Sequence, residues 1–209
     1  MRFPSLRAIA HAAGNRIDLS WAFPQAPDFH GVRVVRRAGS HPTAPDDGVL
    51  VAEGVGIVAA VDTGLKGETV YYYALFGYRD DPPVYDLDRH NRVAALATSS
   101  YDHAGQMYRL LPGVYQRYDT QLSNDPSLST QDRARGVLRR FLDLPGTQLD
   151  LLHSLARATL DLHVIDRVNG ALLPLLAQWI AWKTDYLLEI ETQRNEVRHA
   201  PGEEAAWND

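Results

Sequence analysis

A chain of 209 residues, 45% of them hydrophobic, is long enough to fill two modest cores and apolar enough to bury both. It has no cysteine, so disulfides, thiolate nucleophiles and thiolate metal ligands are excluded. A net charge of −5 argues against a general nucleic-acid binder, and the apolar run Leu172 to Trp182 is too short for a membrane span.

The opening segment Met1-Arg-Phe-Pro-Ser-Leu-Arg7 lacks the continuous apolar stretch of a secretion signal, so synthesis as a soluble cytoplasmic protein is expected. Ile17, Leu19 and Trp21 then alternate with Asp18, Ser20 and Ala22, the period of a strand with one buried face. Val32 and Val34 mark a third strand, while Val49 to Ala52 and Ile57 to Val61 supply two more. Pro42 to Gly48 and Asp80 to Pro83 are turn clusters between strands. Thr63, Gly64, Lys66 and Gly67 punctuate a corner, after which Tyr71, Tyr73 and Leu75 share one face, and Arg92 to Leu96 closes the sheet. Short strands at this spacing predict an antiparallel sandwich, another small all-β fold being the alternative.

The corner carries a resemblance. Leu65, then Gly67 where a proline is usual, then Thr69, Tyr71, Tyr73 and Leu75 resemble the E–F corner of fibronectin type III domains, and Leu19-Ser-Trp21 followed by Pro24 resembles that module's second strand. The resemblance implies that Trp21 sits in the core. It also implies that Tyr71 hydrogen-bonds back onto the corner backbone, a device of sandwich folds.

Near residue 98 strand formers give way to Leu, Ala, Arg and Asp at helical spacing, with Thr98 to Gly105 as the junction. The fold class is therefore α+β multidomain: an all-β sandwich over 1–98, a linker over 99–106 and an α-helical domain over 107–209. Arg133 to Leu144 places Val137, Leu138, Phe141 and Leu142 on one stripe, with Ser129 or Thr130 as its cap. Pro145-Gly146 then breaks the chain. Thr147 caps a long helix whose Leu149, Leu152, Leu155 and Ala156 recur at three- and four-residue steps. Ala171 to Trp182 is apolar nearly all round, and Asp185 to His199 is amphipathic.

Leu110-Leu-Pro-Gly-Val-Tyr-Gln-Arg-Tyr-Asp119 is similar to the opening motif of a phage-tail-protein domain found in baseplates of contractile tails and related injection systems. The family's next signature, near "Pro-x-x-Leu-Pro-x-Leu-Ala-x-Trp-Leu", is matched by Asn169 to Ile180, and Arg194 falls close to the family's arginine. The first proline is replaced by the Asn169-Gly170 turn, and the "Arg-Gly-Thr" that usually follows the last helix is missing; either the chain is a shortened member or it is a fragment of a longer subunit. The resemblance implies a structural baseplate subunit, wedge or inner ring, whose partners are other wedge subunits, sheath or spike-hub proteins. On that reading Leu111, Pro112, Tyr115 and Tyr118 fix the start of the bundle. Pro174, Trp179, Trp182 and Arg194 order its partner-facing end.

The residues themselves say why. Pro174 starts or kinks a helix on which Leu173, Leu176, Ala177 and Ile180 share a side, and Trp179 and Trp182 flank it as interface anchors or as core residues. Tyr115 and Tyr118 are equally readable as core aromatics. Catalytic and metal patterns are poor: the eight histidines form no His-Glu-x-x-His or His-x-His, and His153 and His163 are too far apart for one helical face. Asp80, Asp81, Asp86 and Asp88 crowd one loop, where solvated acids outweigh a Ca²⁺ site. The arginines at 33, 36, 37 and at 133, 135, 139, 140 are expected on solvated faces. No enzyme activity, cofactor, metal or nucleic acid is expected. The alternative is an extracellular adhesive or carbohydrate-binding module with a fibronectin-type spacer, which the missing secretion signal and the leucine-rich helices disfavour.

Overall fold

The computed structural model describes residues 1–11, 13–24, 28–80, 82–119 and 135–207, the last seven by backbone alone. In the first half, β1 (Arg7–Ala10), β2 (Arg16–Ser20) and β5 (Ala59–Thr63) form a three-stranded antiparallel sheet in the order β1-β2-β5. The facing sheet runs β4 (Val49–Gly54), β3 (Gly31–Ala38) and β6 (Thr69–Arg79), with β7 (Val84–Tyr85) and β8 (Arg92–Ala97) both pairing with β6. Period-two alternation sends Ile17 and Leu19 from one sheet and Val32, Val34, Tyr73 and Leu75 from the other into a shared core. Trp21 joins them, its indole N–H donating to the Ile57 carbonyl at 3.0 Å.

The expected corner is present. Tyr71 accepts a hydrogen bond from the Lys66 amide at 3.1 Å, and Leu65 is buried beside it. Gly67 stands where a proline is usual for a visible reason: a Cβ there would lie 1.9 Å from the Ser99 hydroxyl oxygen, so the segment leaving the sandwich needs the space. Beneath the corner Asp62 takes two bonds from Arg36, at 2.8 and 3.0 Å, and one from the Tyr73 hydroxyl at 2.9 Å. Burial, and then the Asp62 charge, push the Tyr73 phenol well above its ordinary pKa.

The second half contains α1 (His103–Leu110), α2 (Gly113–Tyr118), α3 (Val137–Ala158), α4 (Leu173–Trp179) and α5 (Ile190–Trp207), with 3₁₀ turns at Thr159–His163 and Gly170–Leu172. Helix α1 begins inside the stretch read as linker. Its N-cap Asp102 accepts from the Gly105 amide at 3.1 Å.

Several expected boundaries move. Pro145-Gly146 does not break the chain: α3 runs through both, because Pro145 forfeits one internal hydrogen bond while the rest of the ladder and the packing of Gly146 remain. Thr147 is consequently no cap, and its hydroxyl donates to the Leu144 carbonyl at 3.0 Å. Ser129, Thr130 and Arg133 lie outside the described residues. The cap of α3 comes from Asp119, the last residue of the Leu110–Asp119 motif. Its two carboxylate oxygens accept from the amides of Leu138 at 2.7 Å and Arg139 at 3.0 Å, satisfying orphan donors at the positive end of the helix dipole. Helix α4 ends at Trp179, three residues earlier than read, and Ala181 beyond it has φ 59°.

Candidate assembly interface

Helix α3 packs by its smallest residues. Gly146, Asp150 and Ser154, four apart along one face, are its buried positions. A Cβ on Gly146 would sit 2.5 Å from the Ala104 Cβ, so α1 and α3 meet backbone to backbone. Ser154 accepts from the Ser99 amide at 2.9 Å and donates to the Asp150 carbonyl at 2.8 Å, tying the helix to the segment that leaves the sandwich.

The apolar stripe faces the other way. Val137, Phe141 and Leu144 are between 63 and 68% exposed, Leu152 is 59% and Leu155 44% exposed. The leucines read from the sequence as a helical stripe are thus turned to solvent, because the close contact of Gly146 with Ala104 holds the opposite side of the helix against α1. Monomers rarely leave a contiguous apolar patch of this kind uncovered without using it. At its C-terminal end the stripe meets an apolar groove lined by Val70, Leu96, Leu155, Leu162 and Leu172.

The residues singled out by motif divide into three groups. Tyr115 and Tyr118 are exposed, not core aromatics, while Leu111 is half-buried and Pro112 precedes α2. The side chain that organises this bend is Gln116, whose amide donates to the carbonyls of Leu111 at 2.8 Å and Tyr108 at 3.1 Å. Trp179 is 64% exposed and is not a core residue. Half-buried Trp182 keeps its indole N–H buried with no acceptor among the described residues, and Pro174 lies at the first turn of α4.

Arg194 is turned inward, into the contact between the two halves of the chain. It is 6% exposed, and its guanidinium donates to the carbonyls of Ile165, of Val168 at 2.8 Å and of Gly39 at 2.9 Å, and to the Tyr72 hydroxyl at 3.3 Å. The planar fork converges carbonyls from both halves of the chain. Tyr72 also accepts from the Gly170 amide at 2.7 Å. Tyr72 points away from the sandwich core, yet it is as buried as Tyr73 because the helical half covers it. Beside it His41 stacks edge-on, and burial lowers its pKa to about 4.

Sequence spacing gave no sign of one polar cluster. Asp150 accepts from the His103 amide at 3.2 Å and from its Nδ1 at 2.5 Å; His153 Nδ1 lies 3.5 Å from His103 Nε2, and Tyr101 stacks on His153 at 3.9 Å. These residues are about fifty positions apart in sequence and meet only through the α1–α3 contact. Of the arginines read as solvated, Arg33, Arg37 and Arg135 keep partly exposed surface pairs with Glu53, Asp47 and Asp143, Arg139 pairs with Asp102, and Arg36 is drawn in to the buried Asp62. Asp88 accepts from the His90 amide, whereas Asp81 lies outside the described residues. Among the described residues no group of three or more ligating side chains is placed to hold a metal, and no helix is long and apolar enough to cross a membrane.

No family model and no curated protein matches the chain. Solved structures similar to it include the chicken CNTN1 FN1–FN3 domains, at 11% identity and a TM-score of 0.37 over 46% of this chain and 31% of that one. The Clostridium perfringens spore cortex lytic enzyme SleM is similar at 14% identity and a TM-score of 0.33, over 46% of this chain and 27% of that one. An Fn3-like protein from Clostridium thermocellum has 23% identity and a TM-score of 0.29, over 46% and 82% of the two chains. The chain spans less than a third of the length of the CNTN1 and SleM chains it matches, at 31 and 27%. With its strand order, its tyrosine corner and the buried Trp21, the first half of the chain is a fibronectin type III-like sandwich.

Proposed function

We propose that this chain is a non-enzymatic structural subunit of a contractile, phage-tail-like injection particle, built into its baseplate as a wedge or inner-ring component. The observation that carries the assembly role is the outward apolar stripe of α3 over a small-residue inner face. Such a helix contributes little to its own core and much to a neighbour's. The particle reading is supported by the order and spacing of the Leu110–Asp119 and Asn169–Ile180 motifs. The exposed Tyr115, Tyr118 and Trp179 add large rigid side chains of the kind that anchor protein interfaces.

In this role the sandwich is a peripheral arm, carried by the Arg194 clasp, and the helical half holds the neighbouring subunits. A triggering signal crosses the baseplate as a rearrangement of those interfaces, a switch by rigid-body motion. The test is electron microscopy of tail-like particles from cells producing a tagged chain. Label at one end of the particle, next to the sheath, is expected. Label confined to free protein, with intact particles lacking it, would sink the reading.

A further inference from the structure

Val137, Phe141, Leu144, Gln148, Leu151 and Leu155 follow one another in alternating steps of four and three residues along the exposed side of α3. That is the 3.5-residue repeat of a coiled-coil seam, sustained over roughly 27 Å of helix. The partner it fits is another helix with the same repeat. Resting on the assembly role above, we propose that this partner is a second copy of the chain, with two α3 helices pairing in parallel and in register.

Three features favour a second copy over a foreign helix. The first is Gln148, the one polar side chain on the seam. It occupies the heptad position where, in a parallel pair, each residue meets its own copy, and two carboxamides can donate to and accept from each other. An amide there fixes register and strand number, as a lone polar residue does in two-stranded coils. The second is area. From the exposed fractions of the stripe residues, each copy presents roughly 600 Å², so a symmetric pair that covers all of it buries at most about 1,200 Å², the lower bound of a standard stable interface. The third is charge: none of the six seam positions carries one, so parallel alignment brings no like charges together. Leucines at two of the three seam positions alternating with Gln148 suit a two-stranded arrangement.

The chain has no cysteine, which makes the test clean. The purified full chain is expected to sediment as a concentration-dependent dimer, and the double variant Leu144→Glu/Leu151→Glu to weaken that dimer on the order of 100-fold or more. Both side chains are exposed in the single chain, so the variant keeps its circular dichroism. Under mild oxidation Gln148→Cys and Leu151→Cys should each cross-link to themselves, whereas His163→Cys, off the seam, should not. A strictly monomeric chain, or cross-linking no greater than the His163→Cys control, overturns the proposal. So does cross-linking found only in mixtures of Phe141→Cys with Leu151→Cys, which reports antiparallel pairing. A monomer that still labels the end of a particle removes this pairing and leaves the baseplate role standing.

Discussion

His41 shows how little a residue's environment can be read from its neighbours in sequence. It lies in a turn-rich stretch, where an exposed imidazole is the ordinary expectation, yet the helical half closes over it and Tyr72. Burial disfavours the charged ring and lowers its pKa from 6.5 to about 4. The unfolded chain therefore binds a proton that the folded chain does not, throughout that interval. Stability from the neutral ring is full above pH 6.5 and is lost as pH falls toward 4. Relative to a His41→Gln variant, the protein should lose about 2 kcal/mol of unfolding free energy across that window, after discounting for partial exposure. Urea midpoints measured at several pH values for both proteins check this, and parallel curves would refute it. Tyr71 is the opposite case. Its partner is the Lys66 amide five residues away, so the corner was legible from local sequence alone.

For whole elements, legibility depended on which neighbour an element had. Strand β2 alternates cleanly, while β3 and β6 carry runs buried on both faces, and all three fell where Ile17, Val32 and Tyr71 announced them. Helix α3 was legible as a stripe but not in its rotation, because periodicity identifies a stripe without saying what covers it. Its apolar side looks outward, and its rotation is set by one glycine. Gly146→Ala should ordinarily gain up to about 1 kcal/mol of helix propensity. Here the added methyl would lie 2.6 Å from the Ala104 backbone nitrogen, so α1 has to move away from α3. A net loss of about 1–3 kcal/mol is expected instead. Asp119→Ala, which uncaps the same helix, should cost about 1–2 kcal/mol with no repacking. Chemical denaturation measures both, and a stabilised Gly146→Ala protein would mean that the close contact is not present in solution.

Across the whole molecule, the change in composition near residue 98 suggested two independent units, and the contacts argue for one. Tyr72 on β6 and the Gly39 carbonyl meet Arg194 on α5, and Arg92 on β8 pairs with Glu189 just before it at 3.1 Å. No local pattern announces such a clasp, because its parts lie up to 155 residues apart. The guanidinium fork spans carbonyls that a lysine ammonium cannot reach together. Removing it strands a buried set of acceptors as well as the contact. The two halves should therefore unfold in a single calorimetric transition whose van't Hoff and calorimetric enthalpies agree. Arg194→Met should cost about 3–5 kcal/mol and split that transition in two, the sandwich melting last because its core of Ile17, Leu19, Val34 and Leu75 is complete without the helices. Tyr72→Phe, which keeps the ring and loses two hydrogen bonds, should cost about 1–3 kcal/mol and leave the transition single. Two transitions in the unmodified chain would show that the clasp does not couple the halves, and the sandwich would then swing freely from the helical body rather than being carried with it.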